Sequence, residues 1–201
     1  MKKKTALIIV DVQNDFCPGG SLAVKDGDQV VQPLNDLQKR VGLVVATRDW
    51  HDPDTVHFAA NRTDGKGWPV HCVRDTKGAE FHSVLNSKSA EVFSKGLDAK
   101  DDGGYSGFDG INKNGVKLED FLRTKGIDTV LVGGLATDYC VKATVLDALK
   151  LGFMVLVVYH AIRAVNLNPD DGKKAVKEMG AAGAIFITTD DFSEALQKDL
   201  E

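Results

Sequence analysis

Six short apolar runs, most of them rich in β-branched residues, alternate with stretches of helical periodicity along this 201-residue chain. "TALIIVDV" reads as a strand ending near Asp11, "GLVVATRD" as one ending near Asp49, and "AEVFSK" as a shorter one ending at Lys95. "DTVLVGGLA", "FMVLVVYHA" and "AGAIFITT" supply three more. Hydrophobicity within these runs is continuous rather than alternating, which indicates strands covered on both faces, as in a parallel sheet. Between them lie helical patterns. One spans about Gln29 to Val41, and "VKLEDFLRTKG" sets Val116, Leu118, Phe121 and Leu122 on one face. "TDYCVKATVLDALKLG" turns Val141, Val145, Ala148 and Leu149 inward, with Gly152 as its stop. "NPDDGKKAVKEMG" and "DDFSEALQKDL" open on acidic residues that suit a helix N-terminus. Strands alternating with helices predict an α/β fold: a doubly wound, six-stranded parallel sheet flanked by helices, with residues 1–201 as a single domain.

A chain of this length buries about 70% of its unfolded surface, enough for one core. A net charge of −4 without a basic stripe argues against nucleic acid as a partner. "MKKKTALIIVDVQ" places three lysines before an apolar run, as a secretory signal does. That run, Ala6 to Val10, is only five residues long and no cleavage site follows, so a buried strand is expected. No other run approaches a membrane span. The three cysteines, Cys17, Cys72 and Cys140, are scattered and odd in number, which speaks against a disulfide framework and for a reducing cytoplasm. "GLDAKDDGGYSGFDGINKNG", rich in Gly, Asp and Asn, reads as one long functional loop.

Parallel sheets of this kind bind ligands beyond the carboxyl ends of their strands. Asp11, Asp49, Lys95 and Cys140 each fall at or just after a different predicted strand end. Cys140 is expected in a first helical turn, where the helix dipole and free N–H groups favour a thiolate and can hold an oxyanion. The alternative is a small apolar side chain packing helix against sheet. Asp11, Lys95 and Cys140 together supply a base, a positive charge and a soft nucleophile. "RDWHDPDTVHF" at 48–58 gathers Asp49, His51 and His57, and His71 follows one short loop later. Three imidazoles and a carboxylate suit Zn²⁺, Mn²⁺ or Fe²⁺. The competing possibility is a solvated polar loop. His82 and His160 lack comparable neighbours and are expected to be structural, as are Cys17 and Cys72, although Cys72 adjoins His71.

"DVQNDFCPGGSL" (11–22), "RDWHDPDTVHFA" (48–59), "GWPVHC" (67–72), "FSKG" (93–96) and "GLATDYCV" (134–141) resemble the nicotinamidase/pyrazinamidase family of isochorismatase-like cysteine hydrolases. The resemblance runs over most of the chain and implies a six-stranded parallel sheet with a triad of Asp11, Lys95 and Cys140. It implies one divalent metal ion (Zn, alternatively Mn or Fe) on Asp49, His51, His57 and His71. It further implies a cis peptide before Ala136, an oxyanion hole from the N–H groups of Ala136 and Cys140, and a substrate wall of Phe16, Trp68, Tyr105 and Leu135. "GGYSGF" at 103–108 departs from the Asp-Ser that relatives often carry before Tyr-Ser. The implied activity is hydrolysis of nicotinamide to nicotinate and ammonia through a cysteine thioester, with pyrazinamide as a second substrate, in support of NAD salvage. The implied partner is thus a small molecule, in a monomer or homo-oligomer, with no nucleic acid or membrane. Other hypotheses stay open on the residues alone: an amidohydrolase for ureido or carbamoyl substrates, a metallohydrolase with Cys140 only packing, and a noncatalytic metal-binding module.

Overall fold

Each of the six apolar runs forms a strand of one sheet in the computed structural model, which describes residues 4–100, 104–188 and 191. The strands are β1 (Thr5–Val10), β2 (Leu43–Asp49), β3 (Glu91–Lys95), β4 (Thr129–Leu135), β5 (Met154–Arg163) and β6 (Ile185–Ile187). All neighbours pair in parallel, in the order β3-β2-β1-β4-β5-β6. The chain therefore builds outward from β1 to β3, then returns to the other side of β1. Where the order reverses, between β1 and β4, the strand ends leave a crevice that other α/β sheets use for ligands.

Continuous hydrophobicity has the expected physical cause. All seven residues of β4 are buried. Along β1, Leu7 and Ile9 join a core with Leu34 and Leu37 on one face of the sheet. Ala6, Ile8 and Val10 join Leu118, Leu122, Val145 and Met179 on the other. Each such Leu or Ile contributes about 1.5–3 kcal/mol relative to exposure. Helix α1 (Val31–Gln38) covers the first face, and α2 (Leu118–Thr124), α3 (Lys142–Lys150) and α4 (Asp171–Ala181) cover the second. Gly134 sits at φ +131°, and a Cβ there would fall 2.0 Å from Val10 O, so glycine is what lets β4 pass β1 at the crevice.

Several expectations are corrected locally. The predicted helix from Gln29 divides into a 3₁₀ turn, Gly27–Val30, and the shorter α1. Val116 lies off the α2 face, 38% exposed, because its N–H donates to Asn112 Oδ1 and its carbonyl accepts from Asn112 N before the helix begins. Gly152 does stop α3: its N–H donates to Leu149 O and that of Phe153 to Ala148 O, with Gly152 at φ +82°. Within the Gly-rich segment, residues 104–115 are less irregular than their composition suggests, because Ser106 caps a 3₁₀ turn, Gly107–Asp109, and Ile111 bridges Ser94. "DDFSEALQKDL" lies outside the described residues apart from Asp191. Among the described residues no helix is long and apolar enough to cross a membrane.

Candidate active site

Asp11 directly follows β1 at φ +47°, a left-handed conformation that non-glycine residues keep mainly where the surroundings enforce it. Asp49 and Lys95 end β2 and β3 and face each other in register. Cys140 follows β4 within a π-helical turn, Thr137–Val141. The sheet thus brings together four residues far apart in sequence. Lys95 Nζ lies 3.0 Å from Asp11 Oδ2 and 3.5 Å from Cys140 Sγ, and it pairs with Asp49 Oδ1. Thr47 donates its hydroxyl to Asp11 Oδ1 at 2.6 Å. Asp11 is 0% exposed and Lys95 2%, so the charges must settle one another rather than rely on water.

Their ionisation follows from that burial. Desolvation would lower Lys95, but Asp11, Asp49 and Cys140 hold it well above the usual lysine range. Burial raises the Asp11 carboxyl against the opposing pull of Lys95. Desolvation would also raise Asp49, yet Lys95, His51 and His71 keep it below the usual carboxylate range. The sequence predicts a thiolate at Cys140 favoured by a helix start, and the structure differs. The thiol is buried within a π turn and hydrogen-bonded to Asp11, and desolvation pushes it well above the usual range, with Lys95 pulling the other way. The sulfur thus lies beside a carboxylate placed to take its proton.

The histidines form a second cluster against the first. His51, His57 and His71 are all buried and can offer ring nitrogens within 4.8 Å of one another. His51 stacks on His57 at 4.7 Å between ring centroids. Asp49 Oδ2 lies 3.6 Å from His51 Nε2 and 3.8 Å from His71 Nε2. Both nitrogens of His51 are buried without a hydrogen-bond partner. His71 Nδ1 lies 2.7 Å from Pro69 O, where as N–H it donates and leaves Nε2 as the free lone pair, an arrangement common for metal-bound histidine. Burial lowers His71 to about 4, keeping it neutral and able to ligate. Gly96, at φ +68°, admits the His51 ring, since a Cβ there would stand 2.4 Å from ring atoms. Three buried imidazoles, one of them with both nitrogens orphaned, and an adjacent carboxylate fit a divalent ion.

Between the clusters opens a small cleft, lined by Phe16, Asp49, His57, Trp68, His71, Tyr105, Ala136 and Cys140. Its aromatic and apolar lining beside a few polar groups suits a small flat molecule. Trp68 donates its indole N–H to the Tyr105 hydroxyl at 2.9 Å. Leu22, Tyr139 and Val165 complete the lining and were not foreseen. Tyr139 meets Trp68 edge-on at 4.9 Å, and its place beside Cys140 in "TDYC" was a usable signal. Leu22 ends the quoted "DVQNDFCPGGSL", whereas Val165 carries no local mark. Leu135 lies apart from the wall: it is fully buried among core residues and does not line the cleft, because the chain turns its side chain inward at the end of β4. The Leu135–Ala136 peptide is cis. Cys17 and Cys72 are buried free thiols in the core.

The model of the isochorismatase domain matches residues 5–191. The chain belongs to the isochorismatase family. It is 43% identical to a nicotinamidase of Escherichia coli (strain K12), over 94% of this chain and 97% of that protein. Among solved structures, it resembles pyrazinamidase of Pyrococcus horikoshii in complex with zinc, at TM-score 0.81 and 39% identity, covering 92% of this chain and 99% of that one. PnC1 from L. infantum in complex with nicotinate matches at TM-score 0.83 and 33% identity, over 94% and 95% of the two chains.

Proposed function

We propose that this protein is a nicotinamidase that hydrolyses nicotinamide to nicotinate and ammonia through a thioester on Cys140, and that it also deamidates pyrazinamide. The observation that carries the proposal is the contact of Lys95 Nζ with Cys140 Sγ and with Asp11, where Cys140 lines a cleft that His57 and His71 also line. Asp11 takes the Sγ proton as the sulfur attacks the carboxamide carbon. Charge then develops on the carbonyl oxygen, beside the backbone of Ala136 and Cys140, both of which line the cleft. Asp11 returns the proton to the departing nitrogen, and the C–N bond breaks to release ammonia. Water, deprotonated by Asp11, cleaves the thioester and frees nicotinate and the thiol. Lys95 offsets negative charge on the carboxylate and sulfur throughout.

Asp49, His51, His57 and His71 are the proposed ligands of one divalent ion, zinc by analogy with the Pyrococcus protein and alternatively manganese or iron. A bound ion supplies a Lewis-acid contact for the pyridine nitrogen. Phe16, Trp68 and Tyr105 enclose the ring. The whole chain, 1–201, serves as one catalytic unit acting on a small molecule in the cytoplasm, in support of NAD salvage. An ammonia-release assay over nicotinamide, pyrazinamide, ureidoacrylate and carbamoylsarcosine, with metal content measured on the same sample, tests this. Turnover confined to the ureido or carbamoyl compounds would overturn it.

A further inference from the structure

The turn that follows Asp11 makes two side-chain grips on the segments carrying the histidine cluster. Fully buried Gln13 donates from Nε2 to Asp49 O at 2.7 Å and to Ala79 O at 2.8 Å, and accepts from Asp49 N at 2.8 Å. Two residues on, the Asp15 carboxylate accepts from Cys72 N at 2.7 Å and from Ser21 N at 3.2 Å. Cys72 directly follows His71, and its carbonyl accepts from His51 N at 3.0 Å. At φ +45° it holds a conformation that a non-glycine residue keeps only when its surroundings over-determine it. The charge-assisted bond from its N–H to Asp15 is such a constraint.

The same residue reaches the cleft wall. Asp15 O accepts from Leu22 N at 3.0 Å, and the adjoining Phe16 ring lies 5.4 Å from the His71 ring. Gly78 closes around the carboxylate, since a Cβ there would stand 2.1 Å from Asp15 Oδ2. Asp15 itself does not line the cleft and touches no reacting atom. Building on the metal-assisted amidase proposed above, we propose that Asp15 is a positioning residue. Its carboxylate fixes the Cys72 backbone, sets where His71 presents Nε2, and ties that setting to Phe16 and Leu22. Gln13 secures the Asp49 end independently, so loss of Asp15 frees the His71 end alone.

The test uses the full chain, stripped of metal and titrated with Zn²⁺ against a chromophoric chelator, with the Co²⁺ absorption spectrum reporting ligand geometry. Asp15→Ala should bind zinc about 10–100-fold more weakly than wild type, the usual loss for a partner behind a metal ligand, and alter the cobalt spectrum. Gly78→Ala, which displaces the carboxylate without removing it, should act in the same direction. Asp15→Asn, which retains an acceptor oxygen, should stay close to wild type. Alkylation of Cys140 by iodoacetamide should be unchanged in all three, and KM should rise more than kcat falls. Wild-type zinc affinity and cobalt spectrum in Asp15→Ala would overturn the role. If that variant does not fold, wild-type affinity in Gly78→Ala overturns it instead. A wild-type chain that binds no zinc removes the metal centre itself, and the Asp15 role with it.

Discussion

The Asp11–Lys95–Cys140 cluster and the histidine cluster lie side by side at the same strand ends, equally buried, and they settle their charges in opposite ways. In the first, one ammonium faces two carboxylates and a thiol, so the charges pair inside the chain, with Asp11 Oδ2 meeting Lys95 as an ion pair outside hydrogen-bond geometry. In the second, His51 has no hydrogen-bond partner on either ring nitrogen. A self-sufficient cluster can do proton and nucleophile chemistry by itself. A cluster with lone pairs turned inward is built to receive a cation. Asp49 belongs to both, giving one oxygen to Lys95 and turning the other toward His51 and His71.

The largest expected effect removes the nucleophile. Cys140→Ala should lower ammonia release by on the order of 10⁴-fold or more while leaving fold and zinc content intact. More than a few per cent of residual turnover would transfer the chemistry to the histidine side. Asp11→Asn should cost about 10²–10⁴-fold, because an amide neither accepts the thiol proton nor donates one to the leaving nitrogen. Alkylation of Cys140 by iodoacetamide is the check: a rate equal to wild type in Asp11→Asn excludes the base role.

Chelation sharpens the division from the other direction. Metal removal should reduce nicotinamide turnover about tenfold to a hundredfold, each factor of ten being about 1.4 kcal/mol, while Cys140 still reacts with iodoacetamide. Loss of both together would show that the two clusters are not separable. Trp68→Ala should have the smallest effect, raising KM about two- to twelvefold, the equivalent of roughly 0.5–1.5 kcal/mol for one aromatic contact. Unchanged KM in that variant removes Trp68 from the substrate wall.

The same division governs what was legible in the sequence. Six continuous apolar runs gave six strands because burial on both faces leaves a clear mark on composition. Strand ends then located Asp11, Asp49, Lys95 and Cys140, since a polar residue closing an apolar run has few other reasons to be there. The protonation of Cys140 was not legible. A helix start suggests a thiolate, but the depth of burial that opposes it belongs to the assembled sheet. Leu135 and Leu22 mark a similar limit. One turns into the core and the other into the cleft, and adjacency to a motif does not reveal which way a side chain faces. Nor does local pattern disclose Asp15, whose partner Cys72 is 57 residues away.

The strand order also governs how activity returns after unfolding. The triad residues Asp11, Lys95 and Cys140 come from three separate segments, following β1, ending β3 and following β4, and central β1 must accept β2 on one side and β4 on the other. Neither pairing is local, and parallel, long-range pairings close slowly. Helical signal and partial collapse can therefore recover before β4 docks, yet the thiol meets Lys95 only afterwards. Regain of amidase activity thus requires the long-range pairings on both sides of β1, and it should lag behind the far-ultraviolet signal during refolding.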